Sequence, residues 1–188
     1  MSQATHAGAT LDVVEILTAD HREMTELVGQ IEGNSDPARR RELADTLIAE
    51  VMRHAVAEEM YVYPAVEKHV PGGSEQVEHD KKEHAEIVKV MKQMEDADTA
   101  APAFLGLVGQ LGGLLRHHAH DEEDEQFPRL RAHVSPDDLV AMGRKVEAAK
   151  KLAPTRPHPS APHSALFHKT VGLGVGLVDR LRDKLTGR

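Results

Sequence analysis

Cysteine is absent from the 188-residue sequence, and aromatic residues make up only 3% of it. Without cysteine there can be no disulfide, thiolate nucleophile, iron–sulfur cluster or Cys-type zinc site, so any metal must be held by nitrogen and oxygen. The sequence also lacks a run of about 18 apolar residues, which predicts no membrane-spanning helix. Because its first ten residues lack a charged start followed by an apolar segment, we expect a cytoplasmic protein.

The net charge of -8 and the pI near 5.9 argue against a protein that binds nucleic acid or anionic membranes. Apolar residues are 40% of the chain, so with few aromatic residues the core must consist of aliphatic side chains and methionine. This composition favours helices. The length suits one domain with a tail.

Histidine is abundant, with 13 residues in the chain. One pattern, His-xxx-Glu-Glu-xxx-aromatic-Pro, occurs twice, at His54 to Pro64 and at His118 to Pro128. An α-helix turns once in about 3.6 residues, so the His and the first Glu, four apart, lie on the same face. Each pair can bind one cation. The matching Pro64 and Pro128 are expected to kink or loosen their helices.

Helix signals divide the chain into four long helices and a shorter fifth. We predict an all-α protein, an antiparallel up-down-up-down four-helix bundle within residues 11–151. Residues 152–188 are predicted to be a separate segment, with a proline-rich linker that is not part of the core and an amphipathic helix. The predicted helices cover approximately residues 12–32, 37–69, 74–96, 103–133 and 136–151, and the amphipathic helix lies within 166–188.

The repeat extends beyond the two His-xxx-Glu pairs. Asp20-His21 resembles Glu83-His84, and the offset from His21 to His84 is 63 residues, against 64 from His54 to His118. A single His-xxx-Glu pair is usually a surface ion pair, but its recurrence at a fixed offset favours a two-metal site. The predicted ligands are His21, His54, Glu58, His84, His118 and Glu122.

Several neighbouring residues leave alternatives open. His79 precedes His84 by five residues and is an additional predicted metal ligand, although a surface position is equally consistent with the spacing. Asp80 is a less favoured alternative. The second acids, Glu59 and Glu123, are expected to lie behind the ligands or on the surface and not to bind the metal. Asp20 and Glu83, each next to a predicted ligand, could orient imidazoles.

These residues resemble the hemerythrin-like family, specifically the bacterial HHE cation-binding domains. The resemblance covers residues 11–133 and includes the Glu-Glu-xxx-Tyr/Phe-Pro extension, while the fifth helix and the strap after it are similar to actinobacterial members. It implies a non-haem di-iron centre with an oxo or hydroxo bridge. Glu58 and Glu122 would bridge the ions, and the four histidines would be terminal ligands. Manganese or zinc are alternative metals.

The resemblance implies reactions with O2, H2O2 or NO. Oxygen-carrying members have two histidines four apart on the third helix and an Asp as the last acid, whereas this chain has His79 and His84 five apart and Glu122. Reversible O2 carriage is therefore disfavoured, and catalase-like peroxide decomposition is the expected activity. The alternatives are an iron store or sensor that acts through a partner or self-association at residues 166–188, and a bundle whose histidines bind no metal.

Overall fold

The computed structural model describes residues 11–157, which contain helices and no strands. Two short π-helical segments interrupt the long helices: the first π segment is Glu58–Val62 and the second π segment is Glu122–Gln126. The α-helices are α1 (Val13–Glu32), α2 (Pro37–Ala57), α3 (Tyr63–His69), α4 (Gly73–Asp96), α5 (Pro102–Asp121), α6 (Phe127–His133) and α7 (Pro136–Lys150).

Four rods form the bundle: α1, α2 with α3, α4, and α5 with α6. The helix α1 packs against α2 and α5, and α4 packs against α5 and α3. Short connections join successive rods, so neighbours run antiparallel. The predicted all-α, up-down-up-down four-helix bundle is confirmed, and the predicted fifth helix is α7, which packs against α1 and α2.

Local sequence sets the ends of the rods. Asp12 and Glu15 form a capping box at the start of α1. Gly72 has a φ of 71°, a left-handed conformation that favours glycine. A Cβ at Gly73 would overlap the backbone carbonyl of Val66. Two glycines therefore allow the tight reversal between α3 and α4.

Each π segment lies directly before the aromatic-Pro pair of the repeat. The Tyr63 N–H donates to the Glu58 carbonyl, and the Phe127 N–H donates to the Glu122 carbonyl, which is the i to i−5 bond of a π-helix. Each proline then occupies the first turn of the next α-helix, where its missing N–H costs little. Of the kink or loosening expected at Pro64 and Pro128, the structure has the loosening, as a widened turn before each proline.

The start of the proline-rich strap belongs to the bundle, so the expectation that residues 153–157 are linker outside the core is wrong. Ala153 joins the hydrophobic core, and Arg156 is buried with Nη1 2.9 Å from Oε1 of Glu95 in α4. The predicted amphipathic helix at 166–188 lies outside the described residues. Among residues 11–157, none of the helices has the length and apolar character needed to cross a membrane.

Candidate metal centre

Six predicted ligand residues converge in the middle of the bundle, one or two from each rod. All six side chains are buried, and none is more than 5% exposed. The helices supply the histidines and the π segments supply the carboxylates. The six residues are His21 of α1, His54 of α2, Glu58 of the first π segment, His84 of α4, His118 of α5 and Glu122 of the second π segment.

We call the side of the centre that contains His21 and His54 the His21 half. The two Nε2 atoms lie 3.3 Å apart. Nε2 of His21 is 3.2 Å from Oε2 of Glu122, and Nε2 of His54 is 3.2 Å from Oε2 of Glu58. These four side chains place one ligand atom each within 4.8 Å of one another, a spacing that could hold one metal ion.

The His84 half contains His84 and His118, whose Nε2 atoms lie 3.1 Å apart. Oε2 of Glu58 is 3.5 Å from Nε2 of His84 and 3.9 Å from Nε2 of His118. Oε1 of Glu122 is 3.6 Å from Nε2 of His118. Glu58 and Glu122 therefore each reach histidines of both halves.

The second acid of each repeat binds the outer nitrogen of a histidine on another rod. Glu123 lies 2.8 Å from Nδ1 of His21, and Glu59 lies 3.0 Å from Nδ1 of His84. Glu59 and Glu123 therefore lie behind the ligand histidines, which is one of the two positions expected for them, and neither belongs to the buried groups of ligand atoms. Because the carboxylate accepts the Nδ1–H bond, the lone pair on Nε2 faces the centre.

Asp20 and Glu83 do the same for the remaining two histidines. Asp20 is 3.3 Å from Nδ1 of His54, and Glu83 is 2.8 Å from Nδ1 of His118. Each acid thus orients a histidine on a different helix, not its neighbour in sequence. All four imidazoles consequently direct Nε2 inward, in the pseudo-two-fold pattern that the repeat predicts.

This arrangement fits a cation in each half. Two Nε2 lone pairs that face each other at 3.1 to 3.3 Å cannot hydrogen-bond to each other unless one is protonated. The four carboxylate oxygens of Glu58 and Glu122 are buried without a hydrogen-bond partner. Buried charge without a partner is costly, and a metal ion bound by these nitrogens and oxygens removes that cost.

The pKa shifts of His54 and Glu58 also indicate that the centre favours positive charge. Burial lowers the pKa of His54, but Glu58 and Asp20 outweigh burial and raise this pKa to about 10. Burial raises the pKa of Glu58, but the imidazoles of His54, His118 and His84 hold it well below its usual range. In the protein without metal, protons on histidine partly take the place of a cation.

An aromatic ring from the repeat covers one histidine in each half. The Phe127 ring stacks on His21 with centroids 5.9 Å apart and planes inclined by 5°. The Tyr63 ring lies 5.6 Å from the His84 ring, and its hydroxyl is 3.2 Å from Nε2 of His84. Burial and the nearby Glu58 raise the pKa of Tyr63 well above its usual value, so its hydroxyl keeps its proton.

The structure does not bring His79 to the centre. Its side chain is 57% exposed, with Nδ1 3.7 Å from Asp80 and 4.0 Å from Glu83. Five residues along an α-helix correspond to a rotation of about 140° from the starting face, which directs His79 away from His84. The prediction of His79 as an additional ligand therefore disagrees with its position.

Asp80 is buried near the His84 half but belongs to neither group of ligand atoms. The Gln126 side-chain amide in the second π segment donates a hydrogen bond to it. Burial and the neighbouring Glu122 raise the pKa of Asp80 to about 6. Asp80 is thus a hydrogen-bonded neighbour of the centre.

Lys150 is a contributor that the sequence analysis did not identify. Its Nζ at the end of α7 lies 2.6 Å from Oδ1 of Asp20, the residue that orients His54. The two residues are 130 positions apart, and no repeat or local pattern connects them. The fifth helix therefore supports the His21 half from outside the four-helix bundle.

Two known proteins are similar to this chain in sequence. A hemerythrin-like protein of Schizosaccharomyces pombe is 29% identical over 174 residues, which are 92% of this chain and 86% of that protein. A DNA nickase of Nostoc sp. is 25% identical over 140 residues, but they span only 39% of the nickase.

A solved structure shares the fold. The hemerythrin HHE cation-binding domain-containing protein from Mycobacterium kansasii superposes with a TM-score of 0.67 at 19% identity, over 90% of this chain and 99% of that one. The sequence model of the hemerythrin HHE cation-binding domain matches residues 12–130, which include all six converging residues. The chain therefore belongs to the hemerythrin HHE cation-binding domain family.

Proposed function

We propose that this protein binds two iron ions in the centre and decomposes hydrogen peroxide there, with O2 and NO as further small ligands. The observation that carries the proposal is the pair of buried histidine clusters, each with two inward Nε2 atoms, that share Glu58. Imidazole and carboxylate ligands suit iron or manganese, and the carboxylates favour the oxidised pair. Zinc could also occupy such nitrogen and oxygen ligands.

The ligand count leaves space for a reactant. Four imidazoles and two bridging carboxylates provide about four donor atoms per ion, whereas octahedral coordination takes about six. His79 is exposed and adds no seventh side chain to the six. The near-complete burial of the six residues restricts access to molecules as small as O2, H2O2 or NO.

Iron bound here would supply the redox chemistry that converts two molecules of H2O2 into two molecules of water and one of O2. The protein's own residues hold charge and direct protons. Glu58 and Glu122 supply buried negative charge to both halves, while the four outer carboxylates fix the imidazoles. Tyr63 keeps its proton, and its hydroxyl lies 3.2 Å from Nε2 of His84, where it can donate a hydrogen bond to a small molecule bound beside that histidine.

Metal analysis followed by an oxygen-electrode assay tests this function. We expect about two iron ions per chain in the wild-type protein and O2 release on addition of H2O2, because each half of the centre offers two inward imidazoles and a shared carboxylate. His54→Ala and Glu122→Ala should lose metal and activity together. His120→Ala, an exposed histidine two residues from His118, should keep both.

Two results would overturn the proposal. The first is that the His54→Ala and Glu122→Ala variants contain as much metal as the wild-type protein, since the buried cluster would then bind no metal. The second is iron-loaded protein that shows neither a change in absorption with O2 or H2O2 nor O2 release.

A further inference from the structure

A second group of histidines and carboxylates lies on the surface, where α4 faces α5. Glu83 follows His79 by four residues on α4, and Asp121 follows His117 by four residues on α5. Each pair repeats the His-xxx-acid spacing of the buried centre. The spacing puts both members of a pair on the same helix face, and the packing of α4 against α5 puts the two pairs beside each other.

The distances bring these four side chains to one place, which we call the outer cluster. Nδ1 of His79 is 4.0 Å from Oε2 of Glu83, and Nε2 of His117 is 3.4 Å from Oε1 of Glu83. Nδ1 of His117 is 3.7 Å from Oδ1 of Asp121. Ligand atoms of His79, Glu83 and Asp121 all lie within 4.8 Å of one another, close enough to hold one ion.

The charges of the outer cluster also favour a cation. Within residues 11–157, the ion-pair partners of Glu83 and Asp121 are histidines, and neither Lys nor Arg pairs with them. When the imidazoles are neutral, two carboxylates face two nitrogen lone pairs with no positive charge between them. Imidazole and carboxylate together are ligands of Zn²⁺ and other divalent transition metals.

An exposed His–acid pair is by itself weak evidence, and the same helix provides a comparison. His120 and Asp124 have the same four-residue spacing, 3.2 Å apart, with side chains 69% and 65% exposed. No second pair faces them among the described ion pairs. Glu83, in contrast, is 14% exposed and lies within 4.0 Å of His79 from α4 and within 3.4 Å of His117 from α5. The facing pairs, and not the spacing alone, distinguish the outer cluster.

We propose that His79, Glu83, His117 and Asp121 form a separate binding site for one divalent transition-metal ion, outside the buried centre. Glu83 belongs to both sites, because its Oε2 is also 2.8 Å from Nδ1 of the buried His118. An ion in the outer cluster draws on the same carboxylate that orients His118. Occupancy of the outer site is therefore coupled to the His84 half.

Zinc titration of the protein with its buried centre already loaded tests the proposal, by calorimetry and by NMR of the histidine side chains. We expect about one further Zn²⁺ per chain, with shifts of the His79 and His117 imidazole resonances. The double variant His79→Ala/His117→Ala should bind this ion at least about tenfold more weakly, by analogy with the loss of groups that support a metal. The matched control is His120→Ala/Asp124→Asn, which should bind as the wild type does.

Each contrary result overturns the outer site. These results are no additional Zn²⁺ in the wild-type protein, unchanged affinity in the His79→Ala/His117→Ala variant, or an equal loss in the control variant. The substituted residues are exposed, so the variants should retain the helical signal in circular dichroism. The proposed di-iron function is tested separately. It is measured as iron bound in the buried centre and as O2 release, whereas the outer site is measured by the imidazole shifts of residues 79 and 117.

Discussion

In the His21 half, Phe127 stacks on His21, and Lys150 binds the Asp20 that orients His54. In the His84 half, the hydroxyl of Tyr63 lies beside His84, and the acid that orients His118 is Glu83, which faces exposed histidines. The ligands correspond one to one through the repeat, but their surroundings do not. The His21 half has an apolar ring and a lysine beside its ligands and their supporting acids. The His84 half has a hydroxyl group and the outer cluster in the corresponding positions.

This difference separates binding from reaction. Two equivalent sets of nitrogen and carboxylate donors are enough to hold two ions. A hydroxyl group that can donate a hydrogen bond stands on one side only, because Tyr63 and Phe127 occupy the same position of the repeat and differ by that group. Asp80, with its pKa raised to about 6, lies near the same half. We therefore expect both halves to bind metal and the His84 half to control reactivity.

The largest expected effect comes from removing a residue that both halves share. Glu58→Ala should lose nearly all bound metal, because Oε2 of Glu58 faces His54 in one half and His84 in the other. His21→Ala, which affects one half, should keep about one ion per chain. Elemental analysis of purified protein measures both, with the exposed Glu125→Ala as the control. Equal metal content in the Glu58 and His21 variants would contradict the shared role.

Exchanging the aromatic residues sharpens the comparison at constant metal content. Tyr63→Phe should reduce the rate of peroxide decomposition by roughly 10²-fold, the lower end of the effect of removing one positioned hydrogen-bond donor. Phe127→Tyr, the reciprocal change, adds a hydroxyl to the His21 half and should not restore this loss in the double variant. The O2 release rate per bound iron is the measurement. A Tyr63→Phe protein with the wild-type rate would show that the two halves do not differ in reactivity.

The smallest effect is expected where α7 supports the His21 half. Lys150→Met removes the 2.6 Å contact with Asp20 and should weaken the binding of one of the two metal ions by about two- to fivefold. The pair is largely buried, with side chains 16% and 13% exposed, but it acts on the ion only through His54, so the loss should be about 1 kcal/mol or less. Competition with a chelator measures the two affinities, with the exposed Lys151→Met as the control. An equal loss in both halves, or none, would argue against a supporting role for the fifth helix.

Much of the fold and of the centre could be predicted from residue spacing. Helix caps and the positions of apolar residues indicate four rods and α7, and the offset of 63 to 64 residues identifies the six side chains that converge. The widened turns could not be predicted, because a proline at the end of a helical pattern is compatible with a kink, a break or a π turn. The packing of residues 153–157 on the bundle could not be predicted either. Their proline content says nothing about the contact with α4 that buries Arg156.

What the sequence by itself determined is therefore the ligand types and their pairing along each helix, since helical periodicity fixes which residues share a face. Only the tertiary structure decided which carboxylate meets which imidazole. Asp20 orients His54 and Glu83 orients His118 across helix interfaces, and Lys150 reaches Asp20 across 130 residues. These contacts depend on the relative rotation and height of packed rods, which no spacing within a single helix specifies.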